Sequence, residues 1–198
     1  MSRQRRIGLT GGIASGKSSV GQWLRGRGLP VLDADQYARE ALAPGEAASH
    51  SVVRRYGDEV ITTGSDPKRA EIDRSALACK VFKDASERQW LERLIHPLVQ
   101  QRFHTRLEEL KGEPTLVLMI PLLFEAGLEE LCTEVWVVHC SMDQQKERLM
   151  ARNHIEAEEA DRRIQAQFSL EKKCLLADQV INNSKTEGDW QQQVASLI

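Results

Sequence analysis

The chain has 198 residues, 41% of them hydrophobic and 28% charged, a balance that suits one globular unit with a real core, with room for a small inserted subdomain. Its formal net charge of −2 speaks against a nucleic-acid binder or a membrane-surface protein, and no run approaches the ~18 apolar residues of a membrane-spanning helix. The four scattered cysteines form no C-x-x-C pair, which argues against a disulfide framework or zinc site and for reduced thiols in a cytoplasmic protein.

The basic start, Arg3-Gln4-Arg5-Arg6, lacks the apolar region that an export signal requires, so it reads as a solvated N-terminal extension. Ile7-Gly8-Leu9-Thr10 then has strand character. The stretch Gly11-Gly12-Ile13-Ala14-Ser15-Gly16-Lys17-Ser18-Ser19 fits G-x-x-x-x-G-K-[ST], the phosphate-binding loop. Glycines let the backbone turn tightly enough for several N–H groups to face one anion. Val20, Trp23 and Leu24 recur at helical spacing until Gly26 and Gly28, and the start of such a helix adds unpaired N–H groups and the positive end of its dipole. The residues in position to bind nucleotide phosphates are Gly12, Ile13, Ala14, Ser15, Gly16, Lys17, Ser18 and Ser19. Among them, Lys17 reaches the β- and γ-phosphates and Ser18 holds Mg²⁺ through its hydroxyl.

Leu29 to Leu32 reads as a second buried strand, ending at Asp33-Ala34-Asp35. A helix follows over Gln36 to Ala43, stopped by Pro44-Gly45, and another over His50 to Tyr56, closed by Gly57. From Asp58 to Arg74 the pattern dissolves into a loop or the neck of an insertion. Asp73 and Asp84 are N-caps in waiting for helices Ser75–Phe82 and Ala85–His96, the second with a Trp90, Leu91, Leu94, Ile95 stripe. Pro97 predicts a kink or a fresh helix start, after which a polar helix runs to about Lys111.

Thr115 to Ile120 and Val135 to Cys140 are strands three and four, apolar throughout as a sheet covered on both faces requires. Ser141-Met142-Asp143-Gln144 is a capping-box start for the helix Gln145–Ala151. Glu156 to Phe168 is charged and helical, Gln179 to Asn182 a last short strand, and Thr186 to Ile198 the closing helix. Strands alternating with helices imply right-handed crossovers and a parallel α/β sheet.

The loop alone does not separate kinases, GTPases and ATPases. No N-K-x-D element for guanine is present. Strand three runs into Pro121-Leu122-Leu123-Phe124-Glu125 instead of ending on an acidic residue, which speaks against a generic ATPase. Asp33 and Asp35 remain as acidic candidates. At the carboxyl end of strand two, Asp33 can orient an acceptor hydroxyl at the γ-phosphate, whereas a bland role is to cap the next helix. Arg148, Arg152, Arg162 and Arg163 flank the charged segment after strand four. Such a segment can close over the phosphates, exclude water and neutralise charge in transfer, with Arg152 the candidate for catalysis. It also reads as a solvated helix with Glu158–Arg162 and Glu159–Arg163 pairs. The histidines show no metal-ligand spacing.

Leu9-Thr10-Gly11-Gly12-Ile13-Ala14-Ser15-Gly16-Lys17-Ser18, Asp33-Ala34-Asp35, Ile95-His96-Pro97, Pro121-Leu122-Leu123-Phe124-Glu125 and Ala177 to Asn183 occur in that order, and the set resembles the dephospho-coenzyme A kinase family over nearly the whole chain. The resemblance implies an ATP- and Mg²⁺-dependent transfer of phosphate to the ribose 3′-hydroxyl of dephospho-CoA, the last step of coenzyme A synthesis. It further implies a single domain over 1–198 with a three-layer P-loop kinase core, a helical CoA-binding subdomain at about 58–113 and a lid at about 148–170. Catalysis falls to Asp33, Lys17 and Arg152, substrate binding to Asp33 and His96, and metal holding to Ser18. Ala14 and Ser19 stand where that family often has Gly and Thr, departures that look sterically conservative. A monomer or weak homo-oligomer is expected. Another small-molecule kinase, or a nucleotide-driven switch whose slow hydrolysis ignores acceptors, are the competing readings.

Overall fold

The computed structural model describes residues 4–62 and 71–198. Strands β1 (Arg5–Gly11), β2 (Val31–Asp33), β3 (Thr115–Met119), β4 (Glu134–His139) and β5 (Gln179–Asn182) form one sheet in the order β2-β3-β1-β4-β5. Every pairing is parallel. The connections hold the helices α1 (Lys17–Gly26), α2 (Ala34–Ala41), α3 (Ala47–Tyr56), α4 (Arg74–Lys83), α5 (Ala85–Glu109), α6 (Met142–Asn153), α7 (Ala157–Gln165) and α8 (Leu170–Leu175), and α9 (Glu187–Ala195) follows the last strand. The chain leaves neighbouring strands β1 and β4 toward opposite edges of the sheet. Their carboxyl ends therefore flank the crevice where open α/β sheets take ligands.

Two compact units divide the chain, 1–33 with 111–198, and 34–110. In the first, Ile7 and Leu9 of β1, Val117 and Met119 of β3, Trp136 and Val138 of β4 and Ile181 of β5 present one face. Val20 and Leu24 of α1 and Trp190 and Val194 of α9 cover it. Burying each such side chain stabilises the fold by roughly 1.5–3 kcal/mol. Gly21 lets α1 approach this face closely, because a Cβ there would sit 2.7 Å from Met119 Sδ. Across the sheet, Thr10 donates to Pro121 O at 3.0 Å, Leu123 and Cys132 pack at Gly8, and α8 packs against β4. Of the basic start expected as a solvated extension, Arg5 and Arg6 belong to the fold, while Arg3 lies outside the described residues. Arg5 opens β1, with Nε 2.5 Å from Glu134 Oε1 and Nη2 2.8 Å from Leu197 O, while Trp136 Nε1 donates to the same carboxylate at 2.8 Å. A long-range ion pair turns a terminus into a strand, and local sequence carries no trace of it.

The second unit takes in α2 and α3 together with the segment from 58 onward that was expected as an insertion. Val52, Val60, Ile72, Leu77 and Val81 form its core, with Trp90, Leu91 and Leu94 of the expected stripe packed against it. Tyr37 of α2 meets Phe103 of α5 edge to face at 5.1 Å. A 3₁₀ turn at Gly57–Val60 and an antiparallel bridge between Ile61 and Ile72 frame residues 58–74, of which 63–70 lie outside the described residues. Both caps act as expected: Asp73 accepts from Ser75 and Ala76 N–H, and Asp84 from Ser86 N–H. No helix starts at Pro97. The single helix α5 runs through it, with Ile95, Val99, Phe103 and Leu107 buried at four-residue intervals on both sides of the proline. That continuous buried stripe outweighs the hydrogen bond that Pro97 cannot donate.

Tyr56 and Arg55 at the end of α3 converge on Glu87. Arg55 Nε and Nη2 each lie 2.7 Å from the carboxylate, Tyr56 Oη donates to it at 2.5 Å, and the guanidinium stacks 4.6 Å over Trp90. The Arg55 and Tyr56 hydrogen bonds hold the Glu87 carboxyl down at about 2. Because the folded-state value lies below that of the unfolded chain, this contribution to stability is complete above about pH 4.5 and fades as pH falls toward 2. The melting temperature is expected to drop more steeply between pH 5 and 2 in the natural protein than in Glu87→Gln, which has no carboxyl to protonate. Parallel curves would remove Glu87 from the acid response.

Candidate active site

Everything in this site belongs to the first unit. β1 ends at Gly11, and the chain turns through Gly12–Ser15 into α1, whose N-cap is Gly16 at φ 97°, ψ 12°. No side chain caps this helix, so its first turn presents backbone N–H groups to whatever sits before it. Gly16 needs to be glycine twice over: its φ is left-handed, and a Cβ would overlap Asn183 Nδ2. Ala14 also sits in the left-handed region, at φ 60°. The exchange expected to be conservative therefore carries a backbone cost of about 1–2 kcal/mol that Gly avoids. Lys17, the first residue of α1, is only 8% exposed, while Ser18 and Ser19 are exposed on its opening turn.

Four side chains shape the loop from outside. Lys173 of α8 is fully buried, and its Nζ donates to Gly11 O at 3.3 Å, Pro121 O at 3.0 Å and Glu125 Oε1 at 2.9 Å. Gln167 Oε1 accepts from Ile13 N–H at 3.0 Å. Asn183, just past β5, donates from Nδ2 to Ser15 O at 2.8 Å. Gln145 of α6 is buried against Gly12, where a Cβ would overlap its Nε2. Glu125 Oε1 also accepts from Phe168 N–H at 2.9 Å. None of these partners was singled out from sequence for supporting the loop. Lys173 sits in a Lys-Lys pair of a charged stretch, and lysine is almost never fully buried unless paired.

Asp33 closes β2, half-buried, in register with Met119 of β3, which in turn pairs with Leu9 of β1. It therefore stands on the same carboxyl edge as the loop, two strand spacings or roughly 10 Å from β1. Asp35 is exposed one residue into α2. On the other side of β1, the capping box of Ser141 and Gln144 opens α6 as expected. Gln144 Nε2 donates to Ser184 O at 2.9 Å and Arg148 Nη2 to Asn183 O at 3.1 Å, so the first turns of α6 stay beside the end of β5. Arg152, in the last turn of α6, is exposed and donates to Asn153 Oδ1 at 2.9 Å. The expected charged helix is α7, clamped to α6 by Lys146 and Asp161 at 2.7 Å. The expected Glu159–Arg163 pair forms at 2.8 Å, whereas Arg162 also joins Glu159, at 2.7 Å, and not Glu158 as expected; the two hydrogen-bonding arginines depress the Glu159 carboxyl. His96 is exposed on α5 in the second unit.

Among the described residues, the buried side-chain polar atoms without a partner are Ser15 Oγ, Glu125 Oε2 and Arg148 Nη1. All three residues belong to this network: Ser15 lies in the loop, Glu125 pairs with Lys173, and Arg148 bonds the residue that holds Ser15. Orphaned buried polar groups are uncommon, and a cluster of them marks a place built for a polar ligand. An uncapped helix start, a left-handed glycine and the open donors Ser15 Oγ and Arg148 Nη1 suit a nucleotide's phosphates, whereas Glu125 Oε2 can only accept.

A family model described as dephospho-CoA kinase matches residues 5–189. A dephospho-CoA kinase of Synechococcus sp. strain CC9605 is 56% identical over 195 residues, covering 98% of this chain and 92% of that one. Among solved structures, TT1252 from Thermus thermophilus superposes with TM-score 0.79 at 33% identity, over 99% of this chain and 97% of that one. A dephospho-CoA kinase from Campylobacter jejuni gives TM-score 0.70 at 25% identity, over 97% and 94%.

Proposed function

The chain belongs to the dephospho-CoA kinase family, and from that premise we propose that its phosphate loop and Asp33 together move the γ-phosphate of ATP to the ribose 3′-hydroxyl of dephospho-CoA. The observation that carries the reading is the shared carboxyl edge: loop and carboxylate face it from β1 and β2, with one strand between them. A gap of roughly two strand spacings leaves room for a phosphoryl group and the oxygen that attacks it.

The roles of the residues follow from the chemistry. Phosphoryl transfer has a loose transition state, so positioning and charge stabilisation dominate. Backbone N–H groups within residues 12–19 cradle the phosphates, those of Ile13, Ser15 and Ser19 being held by Gln167, Gly12 O and Gly16 O, and Lys17 follows the charge as it shifts toward the leaving oxygen. Asp33 accepts a hydrogen bond from the acceptor hydroxyl and holds its lone pair on the line of attack; the proton passes to Asp33 late. Mg²⁺, when bound, neutralises phosphate charge, and Ser18, with its hydroxyl exposed on the first turn of α1, is the residue that would hold it. Arg152 turns from Asn153 to the phosphates as the segment at about 148–170 acts as the lid, its last residues from Gln167 onward staying anchored on the loop network. His96 contributes to dephospho-CoA binding from the helical subdomain. Arg152→Ala is expected to lower kcat at least about tenfold with little change in KM for ATP. Unchanged kinetics would leave Arg152 on the solvated face.

No helix among the described residues is long and apolar enough to cross a membrane. The four cysteines are free thiols, the state that a reducing compartment maintains, which supports a cytoplasmic place for the reaction. Action as a monomer or weak homo-oligomer is part of the same reading, and sedimentation checks it.

The test is ADP release with ATP and Mg²⁺ in the presence of dephospho-CoA, AMP, adenosine or no acceptor. Release that depends on dephospho-CoA, with a product heavier by one phosphate, is the expected result. Release with AMP or adenosine instead would keep a kinase and change its acceptor. Slow release indifferent to acceptor would point to a switch.

A further inference from the structure

We propose that Lys173 and Gln167 are positioning residues for the phosphate loop, and that the seven-residue stretch from Gln167 to Lys173 is the loop's second support beside the sheet. This rests on the kinase reading for its consequence in turnover, and on the geometry alone for its consequence in nucleotide binding.

Lys173 has three donors and the structure uses all of them, on Gly11 O, Pro121 O and Glu125 Oε1. Fully buried charge is tolerated only where it is paired and hydrogen-bonded throughout, so Lys173 has one geometry. Gly11 is the last residue of β1 and the first of the loop motif. The peptide that follows it is planar, so holding its carbonyl also fixes the direction of the Gly12 N–H on the opposite side. Two residues on, Gln167 takes the Ile13 N–H. The first half of the loop is thus held at one carbonyl and one amide from a single segment, and Asn183 holds the second half at Ser15 O. Glu125 ties the arrangement together, accepting from both Lys173 and the Phe168 N–H beside Gln167.

This segment directly follows α7, which ends at Gln165. The loop's shape therefore depends on a stretch more than 150 residues away in sequence, a dependence that a purely structural ion pair would not carry into nucleotide affinity. Preorganised amides bind phosphate because they are already aimed, and in turnover a misplacement of about 1 Å can cost on the order of 100-fold in rate.

Three proteins test the idea: the natural chain, Gln167→Leu, and the double variant Lys173→Met with Glu125→Leu. The double variant removes both charges together, so no lone charge remains buried. Equilibrium titration with ADP and Mg²⁺ reads the loop without any acceptor, and steady-state kinetics separates KM for ATP from KM for dephospho-CoA. The expected result is a Kd for ADP raised at least about tenfold in the double variant and about threefold in Gln167→Leu, with KM for dephospho-CoA within about twofold. Cooperative melting with Kd for ADP within about twofold of the natural protein in both variants would overturn the proposal. Should the double variant fail to fold, Gln167→Leu decides alone, since it leaves the ion pair intact. If the natural protein binds ADP but phosphorylates a different acceptor, the acceptor reading fails and this one stands or falls on the titration.

Discussion

Lys17→Ala abolishes phosphate transfer while the protein keeps its fold: a loss of at least about 1,000-fold in kcat/KM is expected, with far-ultraviolet circular dichroism unchanged. Two features set the size of the effect. Lys17 is nearly buried at the first position of an uncapped helix, so its ammonium acts where water screens little. It is also the side-chain charge at the start of α1, among loop donors that are backbone amides, and alanine has nothing to offer in its place. The fold survives because alanine is the best helix former and Lys17 stands at the start of α1, outside its apolar face. Measured kinetics near those of the natural protein would reject the phosphate site altogether.

Asp33→Asn is the second large effect, a fall in kcat of at least about 100-fold with KM for ATP little changed. The choice of asparagine separates two roles that sequence alone left side by side. Asp33 is the residue immediately before α2, the position of an N-cap, and asparagine caps a helix as well as aspartate does. A capping role therefore predicts unchanged stability and unchanged activity. An orienting role predicts unchanged stability and lost turnover, because the amide cannot take the hydroxyl proton. If turnover holds and only thermal stability moves, Asp33 has no part in the chemistry.

The capping and loop signals in this chain read true because their physics is short-range. Asp73, Asp84 and the Ser141–Gln144 box cap the helices they were expected to cap, because a cap involves residues two or three apart. The phosphate loop lies between a strand and a helix, as its motif requires. Pro97 shows the limit. Its local effect is as expected, a missing hydrogen bond, yet the buried stripe of α5 overrides it. The short helix α8 leaves no mark in the sequence pattern because six residues give no periodicity to read, although Ser169 caps it.

Sequence by itself determined the parallel α/β class, the phosphate-loop motif between β1 and α1, the acidic end of β2 and the family to which these belong, since each is a pattern of neighbours along the chain. Tertiary structure alone decided that Arg5 joins a strand through Glu134, that the helical unit starts at Ala34, that Ala14 takes a left-handed turn, and that Lys173 and Gln167 hold the loop. Those outcomes depend on groups more than a hundred residues apart, or on the backbone path that such contacts impose. The burial that makes a lysine a brace and not a surface charge exists only once the sheet has formed around it.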